Sequence, residues 1–411
     1  MIDWVARAQD LDRGDPLAHF RERFLLRDGL IYLDGNSLGA LPQTTPKRIE
    51  NTVENEWGEG LISSWLDAEW ATAPLRIGDK IGQLIGAQPG EVIAADSTSI
   101  NIFKVLTAAL SLRPERMTIL TETTNFPTDS YMMQGIEAFS GGRITARAVA
   151  PENVLESLDD SVAAVLLTQV HYKSALARNM AEVTGKIQQS GALAIWDLSH
   201  SAGAIEIDLD AANVDFAVGC GYKFLNGGPG APAFLYVAER NQKAAPVLSG
   251  WFGHTKPFDF DEDYRPADGV ERFLCGTPHI IGLAALEEGV DLILEADMSQ
   301  LRQKSVSLGK MLIELMEPLC NEFGFELVSP KDPEHRGSHI AYAHPEAYAI
   351  VQALKEKNVV ADFRTPDILR LGLTPLYLRY ADIPEAVQRL EHVCRTKSWD
   401  RPEFRIKAAV T

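Results

Sequence analysis

Short runs of four to eight apolar residues alternate with stretches in which apolar residues recur at every third or fourth position, and this alternation fills the middle of the chain. The first pattern fits strands buried on both faces, the second helices with one packed face. Strands are expected at Glu91 to Ala95, in MTILTET (117–123), in AAVLLTQV (163–170), at Ala192 to Trp196, at Phe216 to Val218 and in PAFLYVAE (232–239). Helical spacing precedes and separates them, from Leu75 to Gly86, through DSTSINIFKVLTAAL (96–110) and from near Asp129. That order predicts an α/β fold, a mostly parallel sheet with helices on both faces.

The flanks read differently. Asp15 and Pro16 open a helix-like arm, LAHFRERFLL (17–26), and Thr44 or Thr45 before Pro46 is a good start for a long helix to about Trp57. Residues 246–278 lack periodicity and are rich in Gly, Pro and aromatics; a loop that long is uncommon unless functional. Helices follow from Ile280 to about Asp297 and from Leu301 to Cys320. Then come strand GFELVS, strand GSHIAYAH, helix AYAIVQALKEKN, strand VVADFRT, strand ILRLGLT and helix EAVQRLEHVCRT. The expected division is an N-terminal arm and helix contributing to the small domain (1–60), a large domain (61–285) and a small α/β C-terminal domain (286–411).

Composition narrows the classes. The mixture is ordinarily globular at 45% apolar and 23% charged, and 39 basic against 57 acidic side chains leave a net charge of −18. Such a field repels nucleic acid and anionic membrane, so neither is an expected partner. Cys220, Cys275, Cys320 and Cys394 lie far apart with no CxxC pair, which fits neither a disulfide scaffold nor a zinc site. The N-terminal MIDWVARAQDLDRGDP carries acids and no continuous apolar core, and no apolar run approaches a membrane span, so the expected location is the cytoplasm. His335 and His339 have helical i, i+4 spacing, but Gly337 and the strand-like IAYA argue against a helix, and no metal is expected.

Candidate chemistry concentrates in residues 190–230. The run Ala192 to Trp196 ends in Asp197, and that end of a parallel strand faces the ligand crevice. His200 follows, and the next apolar run leads through Gly219, Cys220, Gly221 and Tyr222 to Lys223 in a glycine-rich surround. A lysine amine that forms a Schiff base with an aldehyde cofactor, and a carboxylate that keeps a pyridine ring cationic, need this pair of residue types; together they point to pyridoxal 5'-phosphate. Asp96, Ser97, Thr98 and Ser99 at a helix start suit either a phosphate cradle or simple capping. Phe126 suits ring stacking or core packing, Asp129 a helix cap or a cofactor contact, and Arg370 a carboxylate clamp or surface charge. His171 and Lys173 read as surface residues.

The segments YLDGNSLGALP, EWGEGLISSW, TNFPTD, AIWDLSHSAGA, GCGYKFLNGGPG, LSGWFGH and LRLGLTPLY resemble those of kynureninases, fold-type-I pyridoxal phosphate enzymes, from about residue 30 to the C-terminus. The resemblance implies hydrolysis of L-kynurenine between Cβ and Cγ to anthranilate and L-alanine, in tryptophan degradation, with 3-hydroxykynurenine a second candidate substrate. It implies a homodimer with active sites at the interface. It places Thr98, Ser99, Phe126, Pro127, Thr128, Asp129, Thr168, Asp197, His200, Tyr222, Lys223, Trp251 and Thr277 on the cofactor. Lys223, Tyr222 and Asp129 are then catalytic, with Tyr222 the acid for the γ-carbonyl and His200 orienting Asp197 or the cofactor's phenolic oxygen. Trp65 and Thr277 face the substrate's aryl ring and Arg370 its carboxylate; Thr277, where animal members have Asn, favours kynurenine itself. IYLDGNSLGALP borders the active site on this view and is a surface turn otherwise. Two rivals remain. A cysteine desulfurase needs a reactive Cys on a flexible loop, whereas Cys320 lies in a helix-like run; a non-catalytic scaffold would not need Asp197, His200 and Lys223 together.

Overall fold

The structure, a computed structural model, describes residues 4–407; residues 1–3 and 408–411, at the tips of the expected arm and small domain, lie outside the described residues. Its strands are β1 (Ile31–Tyr32), β2 (Val92–Ala94), β3 (Thr118–Glu122), β4 (Thr145–Val149), β5 (Val162–Thr168), β6 (Leu193–Asp197), β7 (Phe216–Gly219), β8 (Phe234–Val237), β9 (Glu326–Leu327), β10 (His339–Ala343), β11 (Val359–Val360), β12 (Asp362–Arg364) and β13 (Ile368–Gly372). Seven of them form the large sheet in the order β2-β8-β7-β6-β5-β3-β4, parallel except where β8 runs against both neighbours. β5, β6 and β7 are buried throughout, which is why they read as continuous apolar runs. The expected strands and helices of this region are all present, the helices at Ala73–Ile85, Thr98–Leu112 and Pro127–Phe139; β4 and a helix at Met180–Gln189 are additional.

Because β3, β5, β6 and β7 are parallel, their C-terminal ends Glu122, Thr168, Asp197 and Gly219 come out on one edge. Each is followed by a segment that carries candidate chemistry. A sheet of this topology therefore gathers residues scattered over a hundred positions of sequence into one crevice.

The second sheet, β12-β13-β10-β9, is antiparallel and packs with the helices Met298–Phe323, Ala347–Glu356 and Asp382–Arg395. VVADFRT, expected as one strand, breaks at Ala361: β11 pairs in parallel with β1, while β12 joins the antiparallel sheet. Two sheets thus share one short segment, and through β1 the chain Asp34–Gly39 is laid between them. The arm also departs from expectation: the helix occupies Trp4–Arg13, and LAHFRERFLL holds only a 3-10 turn at Ala18–Arg23. The helix at Thr45–Asn51 has Pro46 in its first turn as expected, but Thr44 makes no side-chain cap, and the helix continues as a π turn over Thr52–Glu59.

Two backbone approaches fix the crevice. Gly39 donates its N–H to the Tyr222 carbonyl at 2.8 Å, and a Cβ on Gly39 would overlap the carbonyl of Lys223. Across the sheets, Ala177 N–H donates to His335 O (2.9 Å) and Gly337 N–H to Ala175 O (2.8 Å), stitching the loop after β5 to the second sheet.

Candidate active site

Lys223 lies in a tight turn after β7 and is buried. Its Nζ stands 3.0 Å from His200 Nε2, 5.8 Å from the centroid of the Phe126 ring and 5.7 Å from that of Tyr222. Asp197, the last residue of β6, is buried, and its Oδ1 accepts the N–H of Ser199 at 2.8 Å. Burial pushes its carboxyl up, against the pull of Ser199 and Lys223. Asp129, in the first turn of the helix Pro127–Phe139, is fully buried, and neither of its oxygens closes a hydrogen bond of normal geometry. Burial and then the charge of Asp197 hold it well above the carboxylate range, while Lys223, Asn125 and Thr168 oppose them. Two carboxylates beside one lysine, one of them with unused oxygens, form a donor and acceptor set that a cationic ring nitrogen and an aldehyde carbon would complete.

His200 makes its contact to Lys223 and none to Asp197, one of its two expected partners, and its Nδ1 has no partner among the described residues. Burial, then the charges of Lys223 and Arg370, push its pKa well below the ordinary histidine value, so the ring is neutral at pH 7. Tyr222 moves the other way: burial, then Cys220 and Asp197, push its phenol up, so it keeps its proton at neutral pH.

The helix Thr98–Leu112 opens at the same crevice. Ser97 does the capping, accepting from Ile100 N–H at 3.4 Å, so Thr98 and Ser99 are left with their hydroxyls in the first turn. Ser99 Oγ lies 2.6 Å from Thr128 Oγ1, which joins two helix N-termini into one polar corner suited to an anion. Thr168 Oγ donates to Asn125 Oδ1.

Arg370 corrects a simpler reading of surface charge: it is buried on β13. Its Nε donates to Asp362 Oδ1 at 2.7 Å, its Nη2 to Asp362 Oδ2 and to Ser37 Oγ (2.9 Å), and its Nη1 to the Tyr172 carbonyl. The antiparallel register places Asp362 opposite Arg370, and Arg364 reaches the same carboxylate at 2.9 Å. Asp362, Arg364 and Ser37 carried no signal beyond an acid within an apolar strand; the pairing comes from register. His171, expected at the surface, is half-buried, its Nε2 2.9 Å from the Thr124 carbonyl and its Nδ1 2.9 Å from Ser174 Oγ. That places it inside the loop that borders the crevice.

Asp34 adds a titrating group to this cluster. Burial and the charge of Asp362 push its carboxyl up to about 7, whereas Arg370 and its hydrogen bonds hold Asp362 at about 2 despite burial. The folded chain therefore holds a proton on Asp34 that the unfolded chain releases near pH 4. Its contribution to stability is full below that pH and is lost as pH rises toward 7, at roughly 1.4 kcal/mol for each unit of displacement. Asp34→Asn should flatten this loss between pH 5 and 8 in urea titrations. Parallel stability curves for the two proteins over that range would refute it.

Trp65, Trp251 and Thr277 have other neighbours. Trp65 lies edge-on to Trp70 (5.8 Å) and tilted against Phe252 (6.0 Å); Trp251 stacks with Phe260 (6.5 Å); Thr277 lines a cavity of about 200 Å³ with Asp96 and Cys275. Leu61, Ile62, Leu66 and Phe260 are largely exposed around them. Cys320 lies within the helix Met298–Phe323, not on a loop. Among the described residues no group of three or more His, Cys, Asp or Glu could hold a metal, and no helix is long and apolar enough to cross a membrane.

Comparison with known proteins gives the family and the fold. The family described as "Kynureninase C-terminal domain" matches residues 301–390. The kynureninase of Pseudomonas fluorescens is 45% identical over 407 residues, covering 98% of each chain. Among solved structures, the apo cysteine desulfurase of Thermococcus onnurineus NA1 superimposes with a TM-score of 0.76 at 16% identity, over 92% of this chain and 98% of that one. A C-DES mutant with glycine covalently linked to its PLP cofactor gives 0.76 at 17% identity, over 90% and 98%. At those identities the two structures establish the fold alone, that of fold-type-I enzymes.

Proposed function

Because this chain belongs to the kynureninase family, we propose that it hydrolyses L-kynurenine to anthranilate and L-alanine with pyridoxal 5'-phosphate, as a step of tryptophan catabolism. The observation that carries the reading to individual residues is the buried set at the strand ends: Lys223 Nζ 3.0 Å from a neutral His200, with Asp197 and Asp129 beside it.

The residues suit the cofactor. Lys223 would hold its aldehyde carbon, Asp197 and Asp129 its ring nitrogen, Phe126 the ring face and Thr168 the ring edge, with His200 beside the cofactor through its contact to Lys223. Thr98, Ser99 and Thr128, at helix N-termini, would hold its phosphate, with Pro127 setting that turn. When bound, the cofactor supplies an exchangeable aldehyde and an electron-withdrawing ring.

The chain's own groups account for the proton traffic. Lys223, once free, takes the proton from the substrate's Cα. Tyr222, protonated at neutral pH by its buried setting, holds a proton at the γ-carbonyl oxygen while water adds to Cγ. Cleavage of Cβ–Cγ leaves the hydroxyl from water on Cγ, as the carboxyl of anthranilate, and a proton is delivered to Cβ to give alanine. Arg370, locked by Asp362 and Ser37, presents a fixed guanidinium to the substrate carboxylate.

Trp65 and Thr277 are assigned to the aryl ring, and Trp251 and Thr277 to the phosphate or substrate of the partner's site across a homodimer interface. The exposed Leu61, Ile62 and Leu66 beside Trp65 support that assembly, since a patch of this kind is seldom left to water. A cytoplasmic location is proposed with it, and the net charge of −18 speaks against nucleic-acid or membrane partners.

Purified protein with pyridoxal phosphate and L-kynurenine should produce anthranilate fluorescence and L-alanine in equal amounts. Sulfide from L-cysteine, without anthranilate from kynurenine, would replace this reading by the desulfurase one.

A further inference from the structure

His339, on β10 of the second sheet, is a fully buried histidine to which the reaction above gives no task. Neither ring nitrogen closes a hydrogen bond of normal geometry, although the Lys173 carbonyl faces the ring. Its centroid lies 5.7 Å from that of His200, whose Nδ1 is likewise unused. Leaving such groups unmade inside a protein is unfavourable, and here they stand side by side. Two imidazoles hydrogen-bonded nitrogen to nitrogen have centroids only slightly closer than this.

The charges around the pair fix its state. His339 is faced by Arg370, Asp362, His171 and His200; His200 is faced by Lys223, Arg370, Arg364 and His339. Burial and this excess of cations keep both rings neutral. A neutral imidazole has one donor and one acceptor. In the step in which Lys223 carries the proton its Nζ offers only donors, so His200 Nε2 then accepts from it and His200 Nδ1 carries the hydrogen. The group able to receive that hydrogen is His339, whose second nitrogen then donates to the Lys173 carbonyl.

We propose that His339 is a positioning residue: it fixes His200 as the Nδ1–H tautomer, completing a one-way chain Lys223 to His200 to His339 to the Lys173 carbonyl that keeps an acceptor aimed at the lysine. The proposal rests on the reading of Lys223 as proton carrier. During turnover that lysine must hold a proton between its removal from Cα and its later delivery, and an acceptor of fixed tautomer keeps the ammonium in place. The chain ends in the loop after β5 that is stitched to the second sheet through Gly337 and Ala175, so the relay spans both sheets.

The test begins with ring-nitrogen ¹⁵N NMR on the cofactor-free protein, with His200 assigned by difference from His200→Gln. The Nδ1–H form is expected; an Nε2–H form would overturn the proposal whatever the enzyme's activity. His339→Phe fills the same space without nitrogens. It should bring a mixed His200 tautomer, a kcat lower by about tenfold, as for one buried hydrogen bond, a moved pH–kcat profile and a KM within about twofold. His339→Gln, which keeps a donor and an acceptor, should recover most of the rate. If His339→Phe does not fold, the same comparison is made with His339→Gln against His339→Leu. A unique Nδ1–H tautomer and an unmoved pH profile in the nitrogen-free variant would overturn the proposal; if Lys223→Ala still abolishes anthranilate, the assigned function stands without it.

Discussion

Lys223→Ala should abolish anthranilate formation from L-kynurenine, by at least roughly 10³-fold in kcat, because in the proposed roles it removes both the amine that would hold the cofactor and the base that would serve Cα. The lysine-dependent absorbance of the bound cofactor should vanish with it. Folding should survive. Truncation opens a cavity, but the turn is held by the backbone hydrogen bond from Gly39 N–H to the Tyr222 carbonyl, which alanine at 223 retains. The variant should therefore melt close to the parent and still retain cofactor through Thr98, Ser99 and Thr128. Anthranilate formed at more than about a tenth of the parental rate would remove Lys223 from the chemistry.

Arg370→Lys is the second large effect expected, and it separates geometry from charge. The positive charge stays, so Asp362 is not left as an uncompensated buried anion. What is lost is the fork: Nε and Nη2 on Asp362, Nη2 on Ser37, and Nη1 on the Tyr172 carbonyl all depend on a planar guanidinium. A lysine is a point charge on a flexible stem and cannot hold that set while presenting a fixed face to a carboxylate. With each charged hydrogen bond worth roughly 1.5–3 kcal/mol, kcat/KM for L-kynurenine should fall about 10²-fold, chiefly through KM. An unchanged KM would place the substrate carboxylate elsewhere, with Arg364 the next cation to test.

How far these arguments could have been made without coordinates differs from residue to residue. Asp197 and Lys223 were legible because each terminates or follows a buried apolar run, and the end of a parallel strand has a known destination. Thr98 and Ser99 were legible as a helix start, but the structure was needed to show Ser97 taking the capping role and Ser99 meeting Thr128. His171 was misread because its loop is polar in composition; it is half-buried with its ring against the Thr124 carbonyl and Ser174, a placement that no local pattern encodes. VVADFRT was misread as one strand because no Gly or Pro marks a break at Ala361, although the two halves pair in different sheets.

The sequence by itself determined the elements, their order and the fold class, since hydrophobic period, turn residues and strand-end acids are all local properties of the chain. It also determined which residue types were present for cofactor chemistry. Only the tertiary structure decided which polar groups meet. The opposition of Asp362 and Arg370 follows from hairpin register, the placing of Ser37 from β1 lying against β11, and the approach of His339 to His200 from one sheet packing on the other. Those pairings depend on the relative placement of whole layers, which is set by the sum of many apolar contacts and leaves no mark in the spacing of the residues that finally touch.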